Sequence, residues 1–378
     1  MTVDDLPKIP AAKPVIDETD IEAAVRVLRS GMVVQGPEVK AFEDEFAPVA
    51  NAAHCVAVNS GTSALHLALL ALGIGPGDEV IVPSFTFAAT ANAVRLVGAD
   101  PVFVDIQRDT FNIDPAAVEA AIGPRTAAIM PVHLYGLPAD LPRLTAIAEQ
   151  HGLAIVEDAA QAHGAAIDGR PVGAWAQAGC FSFYPTKNMH SLEGGMVSTN
   201  DAEFARQVRL LRNQGMEQRY ANEIVGTNTR LTDVAAAIGR TQLSRLHGWT
   251  EQRRSNAAAL DAGLSGITGV TVPPVPDGLR HVYHQYTIRV VERDAVSAKL
   301  AALGIGNAVY YPTPVHRLRP FLVDGAADPR WQLPETERAA AEALSLPVHP
   351  ALSDSDIQRI IDGVTVAVVE ASAVASAS

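Results

Sequence analysis

The segment from His54 to Pro83 reads HCVAVNSGTSALHLALLALGIGPGDEVIVP. Its first five residues are a short apolar run with β-branched valines, the pattern of a buried strand. Small polar residues follow at 59–63 and lead into a helical stretch over 62–72. Gly73-Ile74-Gly75-Pro76-Gly77 breaks that helix, and a second β-branched run occupies 79–83. The alternation then continues. Strand-like runs lie at 101–105 (PVFVD), 126–132 (TAAIMPV) and 153–157 (LAIVE), with helical stretches near 86–97, 114–121 and 140–151. Strand and helix in repeated alternation predict an α/β fold whose mostly parallel sheet is covered by helices on both faces. Such sheets bind ligands beyond the carboxyl ends of their strands.

The second part of the chain changes character. A long helical connector is expected from about 231, past Trp249, toward Leu264. Beyond it a strand at 282–291, a helix near 294–302 and a helix at 354–369 suggest a smaller α+β domain. The division expected is a large domain over 1–245, with an N-terminal arm, and a C-terminal domain over 246–378. The closing ASAVASAS is expected to fray.

Composition is that of a globular enzyme: 378 residues, 48% hydrophobic and 19% charged, with net charge −13. An acidic chain is a poor partner for nucleic acid or anionic membranes, which need basic patches. Two cysteines, Cys55 and Cys180, make no disulfide framework and suit a reducing cytoplasm. Met1-Thr2-Val3-Asp4-Asp5 lacks the basic and apolar regions of a signal peptide. The histidines show no metal-ligand spacing, and no glycine-flanked serine elbow is present. The one dense glycine run follows a helix and precedes a strand, the wrong order for a nicotinamide fingerprint.

Chemistry concentrates at the strand ends. Asn59-Ser60-Gly61-Thr62-Ser63 opens a helix whose free N–H groups suit a phosphate, or it is a plain Ser/Thr cap. Asp158 and Gln161 follow the run 153–157; they suit a protonated pyridine nitrogen and a ring hydroxyl, or a helix cap. Phe85 and Phe87 follow 79–83 and suit core packing or stacking on a planar ring. Lys187, in FSFYPTKN (181–188) before Glu193-Gly194-Gly195, reads alone as a surface lysine beside a turn. Burial among its aromatic neighbours would instead make it a nucleophilic amine able to form a Schiff base. Taken together these are the groups that pyridoxal phosphate needs.

At this point the chain resembles a fold-type-I, pyridoxal-phosphate-dependent sugar aminotransferase of the DegT/StrS type. The resemblance runs from Gly36-Pro37 to the last helix. It rests on NSGTSALHLAL (59–69), PSFTFAATANAV (83–94), VHLYGLPADL (132–141), VEDAAQAHGA (156–165), FSFYPTKN (181–188), GTNTRLTDVAAAIG (226–239), YYPTPVH (310–316) and LSLPVHP (344–350). It implies that Lys187 carries the cofactor and moves the substrate proton. Asp158 then pairs with the pyridine nitrogen, Gln161 with the ring hydroxyl, and Phe87 stacks on the ring. Gly61, Thr62, Ser63 and Ser182 hold the phosphate. Asn228 reaches the cofactor of the neighbouring subunit, so the enzyme is expected to be a homodimer with shared active sites. Arg219, Arg230, Tyr311 and His316 are candidates for the sugar or its diphosphate. The implied reaction moves an amino group from L-glutamate to a dTDP- or UDP-linked keto sugar. Amination of an inosose is the alternative; a dehydratase would carry histidine at the lysine, and a silent cofactor-binding regulator would lack turnover. Two positions depart from the family pattern: Leu192 stands where a small residue is usual and His190 where threonine is common. Both are expected to repack harmlessly.

Overall fold

The computed structural model describes residues 7–377. The reading of Met1–Asp5 and the final Ser378 lie outside the described residues. Two helices precede the first strand, α1 (Glu18–Ser30) and α2 (Pro37–Phe46). The strands β1 (His54–Val58), β2 (Glu79–Pro83), β3 (Asp100–Val104), β4 (Thr126–Ile129) and β5 (Ala154–Asp158) then alternate with α3 (Gly61–Ala71), α4 (Ala89–Leu96), α5 (Pro115–Ala121) and α6 (Leu141–His151). Two-residue strands β6 (Ala166–Ile167) and β7 (Arg170–Pro171) lead to β8 (Ala178–Ser182), β9 (Gly195–Thr199) and α7 (Ala202–Arg212).

The large sheet has seven strands in the order β1-β9-β8-β5-β4-β2-β3. Only β9 runs against its neighbours; the other pairings are parallel. Its strands are apolar on both faces because both faces are covered. Along β2, Val80 and Val82 pack with Leu65, Leu69 and Val94 of α3 and α4, while Ile81 between them packs with Val118, Leu144 and Ile147 of α5 and α6.

The expected long connector is α8 (Asp233–Leu264), a helix of 32 residues. Its first half packs Ala235, Ala236 and Leu246 against the large unit, and its second half packs Ala257, Leu260 and Leu264 into a separate core. That second core covers a three-stranded antiparallel sheet, ordered β10 (Val270–Thr271), β12 (Tyr286–Val290), β13 (Ala343–Leu346). The short β11 (Leu279–Arg280) pairs with β6. Helices α9 (Arg293–Ala302), α10 (Pro334–Glu342) and α11 (Asp354–Ala377) complete the chain. The tail expected to fray from its ASAVASAS end is helical through Ala377. The strand expected over 282–291 is shorter, because Val282 and Gln285 give their N–H groups to Gly136 and Tyr135 in a turn at the large sheet.

The N-terminal residues form a strap. Ile9 pairs with Ile305, and Gln242 of α8 donates to the carbonyl of Val15 at 2.8 Å. Among the described residues no helix is long and apolar enough to cross a membrane.

Candidate active site

Beyond the carboxyl ends of the parallel strands lies a cavity of about 450 Å³. Gly61, Thr62, Phe87, Asp158, Gln161, Ser182, Lys187 and Tyr311 all line it. Gly61, Phe87, Asp158, Ser182 and Lys187 meet there because each follows, or ends, a strand of one sheet.

Asp158 closes β5. Its Oδ2 accepts from Thr90 Oγ1 at 2.8 Å and its Oδ1 from the Ala160 N–H at 3.2 Å. Thr90 sits in the first turn of α4, and the hydroxyl of Thr86, four residues earlier, is 3.1 Å away. Burial raises the carboxyl of Asp158, opposed by the Thr90 and Ala160 hydrogen bonds and by the charge of Lys187. The site is therefore built to gain from a cation beside Asp158. Lys187 lies in the loop between β8 and β9, with its N–H bonded to the Tyr184 carbonyl at 2.9 Å. Burial brings its amine down to about 8, and Asp158 pulls the other way. An amine in that range is available as a nucleophile near neutral pH, unlike an ordinary lysine.

Gln161 is fixed from both sides. Its Oε1 accepts from the Tyr135 N–H at 2.7 Å and its Nε2 donates to the Tyr311 hydroxyl at 2.8 Å. Tyr135 itself adopts a left-handed backbone, φ 58°. The two phenylalanines divide the roles left open by sequence. Phe85 is fully buried against Phe111, Tyr135 and Tyr311, whereas Phe87 is 63% exposed along the cavity.

The helix α3 points its N-terminus into the cavity. Ser60 caps it by accepting from the Ser63 N–H at 3.1 Å, and the N–H groups of Gly61 and Thr62 have no partner within the helix. Close packing explains two glycines here. A Cβ on Gly61 would lie 2.7 Å from the Ser182 side chain, and one on Gly195 would lie 2.3 Å from the Ser60 carbonyl oxygen. A free helix N-terminus for a phosphate, a buried carboxylate for a ring nitrogen, an exposed flat ring and a low-lying amine all border one space. These residues fit pyridoxal phosphate.

Other expected residues stand elsewhere. Ser63 spends its hydroxyl on Asn59 Oδ1 at 2.7 Å and does not line the cavity. Asn228 and Arg219 are exposed on the loop between α7 and α8, where Arg219 lies over the Tyr220 ring. Arg230 donates to Asn213 Oδ1 at 2.8 Å. None of the three reaches the cavity of its own chain. His316 is buried behind it: Nδ1 meets Ser84 Oγ at 2.7 Å and Nε2 faces Glu337 at 3.1 Å. The ring was expected to meet the sugar; here it braces the segment that carries Phe87.

Sequence reading missed the opposite wall, His284, Gln285 and Tyr310. Gln285 Nε2 donates to the Tyr310 hydroxyl at 3.2 Å. Burial, aided by the charge of Lys187, holds His284 well below its ordinary value, so it is neutral. The signal was a polar His-Gln pair interrupting an otherwise strand-like run. A layer beneath the site was also missed. Glu157, fully buried, accepts from the N–H groups of Gly173 at 2.7 Å and Trp175 at 2.8 Å and faces His133 Nε2 at 3.1 Å. His133 Nδ1 accepts from the Ala139 N–H at 3.0 Å, which places the ring proton on Nε2.

Leu192 shows more than repacking. Its backbone is left-handed, φ 65°, and its side chain is 41% exposed. A small residue such as glycine takes that conformation without strain, which is the physical meaning of the departure from the family pattern.

A mainly parallel seven-stranded sheet with a reactive lysine at its carboxyl edge is the arrangement of the fold-type-I pyridoxal phosphate enzymes. The family model for the DegT/DnrJ/EryC1/StrS aminotransferases matches residues 14–365, and the chain belongs to that family. It is 47% identical over 348 residues to dTDP-3-amino-3,4,6-trideoxy-alpha-D-glucose transaminase of Streptomyces venezuelae, covering 92% of this chain and 91% of that one. It is 46% identical over 336 residues to UDP-N-acetyl-3-dehydro-alpha-D-glucosamine 3-aminotransferase of Acidithiobacillus ferrooxidans, covering 89% and 90%. The crystal structure of DesV from S. venezuelae superposes with a TM-score of 0.91 at 44% identity, covering 95% of this chain and 98% of DesV. The protein is thus an aminotransferase, and pyridoxal phosphate is its cofactor.

Proposed function

We propose that this enzyme moves an amino group from L-glutamate to a keto-sugar nucleotide, dTDP- or UDP-linked, giving an amino-sugar nucleotide and 2-oxoglutarate. The carrying observation is the single cavity in which Lys187, Asp158, Gln161 and Phe87 adjoin the N-terminus of α3. The names of the relatives, one a dTDP-sugar and one a UDP-sugar transaminase, support the substrate class. Pyridoxal phosphate supplies, when bound, the electron sink that lets a C–H bond beside nitrogen ionise. Lys187 Nζ would hold it at rest and would take the proton from the carbon that bears the substrate amine. In the return direction the same Nζ delivers a proton to the sugar carbon. Asp158 keeps the ring nitrogen protonated, Gln161 donates to the ring hydroxyl and Phe87 covers one face of the ring. Gly61, Thr62 and Ser182 bind the phosphate, with Ser60 capping α3 through the Ser63 N–H. Tyr311, Tyr310 and His284 face the sugar.

Asn228, Arg219 and Arg230 lie on exposed or rim positions of their own chain and are assigned to the cavity of a partner in a homodimer. Residues 1–245 serve as the cofactor-binding unit and 246–378 as the smaller unit, working in the cytoplasm.

The test is spectroscopic and chemical. Glutamate should discharge the visible band of the holoenzyme and release 2-oxoglutarate, and a panel of keto-sugar nucleotides should restore the band. Lys187→Ala should bind cofactor and lose turnover. An unchanged spectrum with glutamate, or full activity in Lys187→Ala, refutes the reading.

A further inference from the structure

On the far side of the lysine loop lies a second, smaller cleft, bounded by the N-terminal strap, residues 185–190 and α8. Lys13, Asn188, Gln242, Trp249 and Arg253 line it, and Lys187 borders both this cleft and the active-site cavity. Arg253 is the unusual member. Its side chain is buried, its Nη1 donates to the Tyr283 carbonyl at 3.2 Å, and its Nε has no hydrogen-bond partner. Among the described residues no acid pairs with it. Burial alone brings its guanidinium down to about 10, with no opposing carboxylate. Lys13, at the mouth of the cleft, likewise has no acid partner among the described residues.

The nearby acids among the described residues are committed elsewhere. Asp20, which Gln242 touches at 3.1 Å, is held by Arg245 and Thr241. Asp356, whose field reaches His349, is engaged by Ser353 and Arg359. Within a chain of net charge −13, this cleft brings Lys13 and the buried Arg253, neither with an acid partner among the described residues, beside the amine of Lys187. A water in the cleft would satisfy the Nε–H but not the charge. Leaving a buried charge uncompensated is costly, and it is normally paired.

We propose that this cleft is a binding site for a small monovalent inorganic anion of the halide class, held between Arg253 and Lys13. The interior, about 20 Å³, excludes a nucleotide or a sugar phosphate. The anion would tie the strap to α8 and to the loop of Lys187, since all three form its walls. Asn188 anchors that loop through Nδ2 to the Val282 carbonyl at 2.8 Å and leaves Oδ1 unpaired, a place for a water beside the anion.

Bromide is the probe. Crystals of the holoenzyme grown in sodium bromide should show an anomalous peak in contact with the Arg253 guanidinium. In solution, bromide or chloride should raise the melting temperature in a saturable way that sodium gluconate at equal ionic strength does not reproduce. At ten times the dissociation constant the folding equilibrium should gain about tenfold. Arg253→Gln should abolish the halide-specific rise. Lys13→Ala, an exposed change that leaves the fold intact, keeps the test usable if Arg253→Gln does not fold; it should weaken bromide binding by up to about fivefold. A cleft holding only water in the anomalous map overturns the proposal. So does a melting-temperature gain that gluconate matches.

Discussion

At the scale of single residues, Lys187 couples burial to chemistry. Its amine titrates at about 8 in the folded, cofactor-free chain against an ordinary value of 10.5. Between those values the unfolded chain binds more protons, so the stability of the cofactor-free protein rises with pH through that window. Below about 8 the amine is a buried cation, and the full cost of burying it is present. Attachment of pyridoxal phosphate needs the neutral amine. Its rate should therefore climb with pH and level off above about 8. Absorbance stopped-flow across pH 6.5–10 (roughly the range bracketing the shift) checks this; an inflection near that of a free lysine would refute the shift. Leu192 is the other residue with a clear energetic signature. A left-handed leucine stores about 1 kcal/mol, partly offset by the greater unfolded-state freedom of glycine. Leu192→Gly should raise stability by up to about 1 kcal/mol in urea denaturation. Phe87 gives the converse case. Its ring is 63% exposed, so Phe87→Ala should leave the cofactor-free melting temperature nearly unchanged. Cofactor affinity should fall by about 3- to 10-fold, the worth of one aromatic stack. Equilibrium dialysis and a melting curve on the same sample separate the two effects.

At the scale of elements, the loop that follows β2 is held by a relay. Ser84 Oγ meets His316 Nδ1 at 2.7 Å and accepts from the His316 N–H at 3.1 Å, while the Val315 N–H donates to the Ser84 carbonyl at 3.0 Å. Three bonds from Ser84 to Val315 and His316 fix where Thr86 and Phe87 leave the strand. His316→Ala should destabilise the fold by about 1–3 kcal/mol and loosen cofactor binding, with His316→Gln recovering part of both. If His316→Ala keeps the wild-type melting temperature and cofactor affinity yet raises KM for the sugar, the ring contacts substrate and the bracing role fails. This element also marks how far sequence alone reaches. The runs 54–58 and 79–83 are legible because a strand covered on both faces is apolar at every position. Asp158 and Lys187 are legible because each ends or follows such a run. His316 is not, since its motif YYPTPVH carries no period that says which way a ring turns. The wall formed by His284 and Gln285 was hidden because their backbone leaves the strand to bond the turn at 135–136. Asn228 is legible as a motif residue, but a single chain leaves it, like Arg219, on the surface.

At the scale of the whole molecule, that last point becomes a prediction about assembly. The cavity is lined by its own chain through the strand ends, the lysine loop and the wall at 284–285 and 310–311. The loop 214–230 projects Tyr220 and Val225 outward at 83% and 94% exposure, together with Arg219 and Asn228. Two large apolar side chains and a motif asparagine on one projecting loop are what a shared site at a two-fold interface requires. Two inactive variants then test the sharing directly. Lys187→Ala removes the amine of a chain's own cavity, and Asn228→Ala removes the group offered to the partner's cavity. Each homodimer is impaired at both sites. After mixing, unfolding and refolding at equal amounts, a heterodimer holds one doubly altered site and one fully native site. Random pairing makes half the dimers mixed, so activity should return to about a quarter of the wild type. Sedimentation velocity of the mixture fixes the dimer fraction. If the pair stays inactive while a dimer forms, Asn228 serves its own chain or none. If the protein sediments as a monomer, the shared site is excluded, and the cavity must bind its substrate with the residues of one chain alone.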